Sequence, residues 1–218
     1  TTTGASILSD VEALSHANLF WRSFTHWIGG MGVFVFILAI LPMIGGSTMH
    51  LMKAESPGPS VDKFVPKVKD TAKILYLLYI GITVLQIICL LLAKMPLFDT
   101  LTLTFGTVGT GGFGVKNSSI GGYTSLQQNI ITFFMIASGV NYSAYFLIIS
   151  KNFKDAFKME EVRWYLGIIL VAVAIITANT FSLYSGIGET LKHAFFQVAS
   201  IITTTGYSTV DFDLWPEL

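Results

Sequence analysis

Marking the charged positions along the chain leaves four long neutral, apolar gaps, at residues 27–48, 74–93, within 117–150 (centred on 130–149) and 164–183. A helix needs about 20 apolar residues to cross a hydrocarbon layer of about 30 Å, so each gap predicts a transmembrane helix. Two further apolar stretches, 100–115 and 194–210, are shorter and end in glycine-threonine clusters instead of continuing as helix. Their pattern predicts re-entry, in which a half-helix dips into the bilayer and irregular backbone returns beside a water-filled space. The expected half-helices run over 97–107 and 189–202, with Asp99 and Glu189 at their positive ends.

The order of these segments repeats. A span at 74–93, a dip and a span at 130–149 are followed by a span at 164–183 and a second dip. The chain stops where another span is expected. At the other end, residues 1–6 followed by the span from Trp27 match the tail of an earlier copy of the same unit. Aligning the dips on their glycines superposes Thr2-Thr3-Gly4, Thr110-Gly111-Gly112 and Thr204-Thr205-Gly206, at spacings of 108 and 94 residues. The predicted organisation is the end of a first pore loop with its inner helix (1–50), a loop (51–73), a complete repeat (74–150), a second loop (151–163), and the outer helix and pore loop of a third repeat (164–218).

Charge placement orients these units. Nine of the thirteen basic residues fall in two loops: Lys53, Lys63, Lys67, Lys69 and Lys73 in the first, and Lys151, Lys154, Lys158 and Arg163 in the second. Basic residues concentrate on the cytoplasmic side, so loops 50–73 and 151–163 are expected there and all three glycine clusters enter from the outer face.

Composition agrees with a bilayer environment. The 218 residues are 52% hydrophobic and 12% charged, against a charged fraction of about 25% in soluble domains. With 13 basic and 13 acidic residues the net charge is zero, which leaves no basic surface for nucleic acid. The lone Cys89 lies inside an apolar run and excludes a disulfide framework. The opening Thr1-Thr2-Thr3-Gly4 carries no cleavable signal pattern, and the natural N-terminus is expected to lie upstream.

The clusters suit one chemistry. A dehydrated cation needs close oxygen ligands, and rings of backbone carbonyls supply them without a full buried charge. Glycine reaches positive φ at little cost, so Gly4, Gly112 and Gly206 can turn carbonyls toward an axis, with threonine hydroxyls as further acceptors. Asp211 and Asp213, just beyond the third cluster, would add negative potential at an outer vestibule. Close helix packing is the plainer use of small residues in membranes. Recurrence of the cluster at matching places in a repeat favours a pore.

Competing patterns are weaker. Gly109 to Gly114 satisfies G-x-G-x-x-G, yet loop-like residues follow it where a dinucleotide site requires a helix N-terminus. His16 and His26 with Asp10 and Glu12 raise the alternative of an intramembrane metal-dependent hydrolase, at a spacing that matches no ligand motif. Arg22 is expected in a structural pairing, and Gln86, Asn141 and Asn179 in hydrogen bonds across helices, with Asn141 the best placed to line water. Pro42 would shape the inner end of the first span.

The run Trp21-Arg22-Ser23-Phe24-Thr25-His26-Trp27-Ile28-Gly29-Gly30-Met31-Gly32, with Gly109-Thr110-Gly111-Gly112-Phe113 and Thr203-Thr204-Thr205-Gly206-Tyr207-Ser208-Thr209-Val210-Asp211-Phe212-Asp213-Leu214-Trp215-Pro216, resembles the TrkH/KtrB potassium-uptake superfamily over the whole chain, most closely its TrkH branch. The resemblance implies an all-α polytopic membrane protein with repeated helix, re-entrant pore loop and helix units around a pseudo-fourfold pore, of which this chain is a fragment. It implies potassium as the transported ion, no organic cofactor and no enzymatic activity. A homodimer in the cell membrane and a cytosolic nucleotide-binding regulatory subunit of the TrkA/KtrA type are the implied partners besides lipid. A sodium-preferring or poorly selective transporter of the same fold is the alternative. The fourth filter strand and the broken gating span of the third repeat are expected outside this chain.

Overall fold

The computed structural model describes residues 2, 6, 8–32 and 68–216, with backbone alone over 68–73. All regular secondary structure among the described residues is helical.

Helix α1, His16–Gly30, begins where the Ser15 side chain accepts the Asn18 N–H. The expected first span at 27–48 therefore joins a helix that starts eleven residues earlier, and its portion from residue 33 lies outside the described residues, as does Pro42. Helix α2, Val68–Leu92, carries one inward stripe of Tyr79, Thr83, Gln86 and Leu90, while Leu77, Ile80, Val84, Leu85, Ile88 and Leu91 face outward. This is the reverse of a soluble helix: two polar residues lie on the buried face and aliphatics on the exposed one, as a lipid solvent selects. Helix α2 is long and apolar enough to cross a membrane over Ile74–Leu92, and so is the segment Glu160–Leu183 formed by helix α7, Glu160–Thr180, and a terminal 3₁₀ turn.

Between them lie α3, Leu97–Val108, then α4, Ser125–Gly139, α5, Tyr142–Ile149, and α6, Phe153–Lys158. Helix α3 has 12 residues, about 18 Å at 1.5 Å per residue, and is too short to span. Thr124 opens α4 with a capping box shared with Gln127.

The expected single span at 130–149 is corrected here. The chain bends by 93° between α4 and α5. At the break Val140 adopts an extended backbone, and the Asn141 side chain caps the next helix by accepting the Ser143 N–H at 2.9 Å. The carbonyls of Ala137 and Ile136 at the end of α4 accept the hydroxyls of Tyr145 (2.6 Å) and Tyr165 (3.1 Å), so the interruption leaves those backbone groups satisfied.

Helix α8, Ile187–Ile202, is the short helix of the third repeat and packs on α7 and α4. A buried cluster of Leu90, Met95, Leu103, Ile120, Ile131, Met135, Phe196 and Tyr207 joins α2, α3, α4 and α8, so the second and third repeats share one core. Helix α1 packs on α3, through Phe20, Phe24 and Trp27 around Phe105. Gln86 departs from the expected cross-helix bond: it is fully buried, and both amide atoms lack a hydrogen-bond partner among the described residues. Asn179 instead donates to the Pro216 carbonyl at 2.9 Å.

Candidate functional site

The short helices α3 and α8 each end in a loop that holds one of the expected clusters, and the two loops are folded alike. In the first, the N–H groups of Thr110, Gly111 and Gly112 donate to Thr107 O (3.1 Å), Gly106 O (2.9 Å) and again Gly106 O (3.3 Å). In the second, those of Thr204, Thr205 and Gly206 donate to Ile201 O (3.0 Å), Ser200 O (2.9 Å) and again Ser200 O (3.3 Å). Every donor and acceptor is displaced by 94 residues.

Dihedral angles repeat as well. Thr110 and Thr204 have φ of 51° and 57°, Gly112 and Gly206 have φ of 70° and 86°, and the intervening Gly111 and Thr205 are not in the positive region. Left-handed φ at a threonine is uncommon and costs about 1–3 kcal/mol unless its surroundings hold it there. Here the N–H groups are drawn back onto the end of the helix. Carbonyl oxygens of both clusters receive no recorded hydrogen bond among the described residues.

The two clusters meet. A Cβ on Gly112 would overlap the Thr205 carbonyl oxygen and stand 3.2 Å from the carbonyl carbon of Gly206. The second and third clusters are thus in contact through Gly112, Thr205 and Gly206. In the first cluster Thr2 is exposed, and Thr3 and Gly4 lie outside the described residues. Asp211 and Asp213 are exposed and line a groove of about 540 Å³ with Asn117, Ser118 and Gly121, and Asp211 caps a 3₁₀ turn by accepting the Asp213 N–H.

Side chains behind the loops were not foreseen from the sequence. Tyr207, fully buried, follows Gly206 and reaches back to α3, where its hydroxyl donates to Leu103 O and fills the space left by Gly106. Its counterpart Phe113 follows Gly112 and lies against α1, with its ring 4.0 Å from that of His26 and 3.8 Å below the Arg22 guanidinium. Arg22 also donates to Gly114 O and Ser6 Oγ, so its partners are an aromatic face and neutral oxygens. His26 is buried against Gly111, and neither ring nitrogen has a hydrogen-bond partner among the described residues.

The hydrolase pattern does not assemble. His16 stacks on Phe98 at 4.5 Å, His26 is turned to Phe113, and Asp10 and Glu12 hold Asn117. Among the described residues no three His, Cys, Asp or Glu side chains could hold a metal. The Asn117 amide donates to Asp10 at 2.8 Å, and this bond holds the exposed Asp10 carboxyl below its ordinary pKa.

Beside the loops lies a cavity of about 440 Å³, lined by Thr110, Thr203 and Thr204, by the ends of α3 and α8, and by Ser138, Asn141 and Glu161. Both short helices direct their negative ends to it, which favours a cation. Asn141, expected to line water, lines this cavity and donates to Glu161 at 2.6 Å.

Comparison with known proteins places this geometry. Residues 1–218 match the TrkH family, described as a cation transport protein. The chain is 40% identical to the Trk system potassium uptake protein TrkH of Salmonella typhimurium over 99% of its own length and 46% of that relative's. It is 34% identical to the Trk system potassium uptake protein TrkG of Escherichia coli, covering 99% of this chain and 45% of that one. The crystal structure of the potassium transporter TrkH from Vibrio parahaemolyticus superposes with a TM-score of 0.80 at 28% identity, over 99% of this chain and 44% of that one. The chain thus spans somewhat under half the length of these relatives. On matched residues, repeated loop geometry and structural likeness, the chain belongs to the TrkH family of cation transport proteins.

Proposed function

We propose that this chain supplies part of a potassium uptake pathway, in which carbonyl and threonine oxygens of Thr110 to Gly112 and of Thr204 to Gly206 replace water around the ion. The observation that carries the reading is the bond-for-bond equivalence of the two loops, which presents two matching sets of unengaged carbonyls beside each other. Thr2, Thr3 and Gly4 are assigned the same role on sequence alignment alone, and Asp211 and Asp213 the role of raising cation concentration at the outer mouth. Potassium is chosen over sodium because the relatives are named for its uptake and because a glycine stands at the centre of all three clusters.

The pathway is set in the cell membrane, with the lysine-rich loops 50–73 and 151–163 on the cytoplasmic side, as the distribution of basic residues supports. The whole protein is proposed to act as a homodimer under a cytosolic nucleotide-binding subunit of the TrkA/KtrA type, with potassium as cargo and no organic cofactor. Support for both partners is the family resemblance.

Ion flux through the full-length protein in liposomes tests the reading, with potassium compared to sodium before and after Gly112→Ser or Gly206→Ser. Loss of potassium preference in the variants supports it. Unchanged selectivity in both would remove these loops from the filter, and a sodium preference in the unaltered protein would favour the sodium-transporting alternative.

A further inference from the structure

The cavity beside the two loops has one charged residue among its described lining: Glu161, in the first turn of α7. One carboxylate oxygen accepts the Asn141 amide at 2.6 Å, and Asn141 is the recorded hydrogen-bond partner of this side chain among the described residues. The N-terminal end of α7 offsets part of the cost of holding an anion there. On the same cavity the Ser138 side chain is more than nine-tenths buried and its hydroxyl has no hydrogen-bond partner among the described residues. An anionic oxygen and an unengaged hydroxyl, facing a space at the negative ends of α3 and α8, form an oxygen-rich environment of the kind that hard cations take. The loop just before Glu161 carries Lys151, Lys154 and Lys158, and Arg163 follows it, so without the carboxylate the inner approach would present positive charge to an arriving cation.

We propose that Glu161, with Ser138 lining the same cavity, is an inner cation site that draws a partly hydrated monovalent cation to the cytosolic side of the loops. This rests on the pore reading above and adds a residue that sets throughput without setting selectivity. The role is electrostatic, so it must weaken as salt screens it.

The test uses full-length protein in planar bilayers, with potassium current measured at low and high ionic strength on the cytosolic side. Glu161→Gln is expected to lower the current about threefold at low ionic strength and to match the unaltered protein at high ionic strength. Glu161→Asp should keep most of the current. A Glu161→Gln current equal to the unaltered protein's at low salt would overturn the site, and so would the same loss at both salt levels. The potassium to sodium ratio, recorded in the same bilayers, separates the two readings: absence of potassium preference in the unaltered protein defeats the proposed function, while the salt comparison still judges Glu161.

Discussion

The Tyr207 hydroxyl donates to the Leu103 carbonyl at 3.2 Å, tying the residue after the third-repeat glycine to the short helix of the second repeat. Phe113 stands at the same place after the second-repeat glycine and leans on α1 in the same sense. Each loop is therefore braced by the repeat before it, and its position depends on a neighbour as much as on its own helix.

Tyr207→Phe should cost about 1 kcal/mol, the net value of one hydrogen bond, and Tyr207→Ala about 3 kcal/mol or more, since a fully buried ring is lost. Thermal unfolding of the detergent-solubilised protein reads both. Equal effects from the two substitutions would deny the ring its bracing role.

Gly111 and His26 form a space-sharing pair, because a Cβ at Gly111 would overlap the imidazole. Gly111→Ala should be strongly destabilising alone and much less so with His26→Ala, giving a coupling of about 1–2 kcal/mol in a double-mutant cycle. Additive losses would show that the imidazole yields without strain.

Gly112 and Gly206 share positive φ but not surroundings. A side chain at Gly112 meets the Thr205 carbonyl, whereas one at Gly206 meets nothing within 4 Å among the described residues. Gly112→Ala should therefore destabilise more than Gly206→Ala, for which only the backbone strain of about 1–3 kcal/mol applies. Melting temperatures of the two variants, measured side by side, decide this.

The strap that joins the segment before α1 to the loop after α3 is expected to be pH-sensitive. Asn117 donates to Asp10 and Glu12 and accepts from the Val11 N–H, and the Asn117 bond lowers the Asp10 pKa. A depressed carboxyl pKa contributes stability above its unfolded value and loses it as pH falls through the folded value. Amide hydrogen exchange at Val11 should thus accelerate, after correction for intrinsic rates, on acidification below the ordinary carboxylate range. An unchanged protection factor would mean that the Asp10 bond does not hold the strap.

Much of this architecture was legible in the order of the residues. The apolar gap 74–93 and the glycine-threonine ends at 109–112 and 203–206 gave α2, α3 and α8, because lipid exposure and short re-entrant length both leave marks on composition. The break at Val140 and Asn141 was not legible, since hydropathy is blind to a cap: Asn141 reads as one polar residue in an apolar run, and its effect comes from bonding the Ser143 N–H. The start of α1 at His16 was missed for a related reason, as a helix rich in aromatic and polar residues falls below a hydropathy threshold while Ser15 still opens it. Pairing of Tyr207 with Leu103, or of His26 with Gly111, spans repeats and has no local trace.

The backbone bonds at 105–112 recur at 199–206, although Gly106, Gly109 and Gly111 are replaced by Ser200, Thr203 and Thr205. Ancestry need only preserve the main-chain wiring, then, while the letters that decorate it drift apart. A single polypeptide can in this way keep a quasi-symmetric centre yet give every quadrant its own chemistry, a freedom that assemblies of identical subunits do not have.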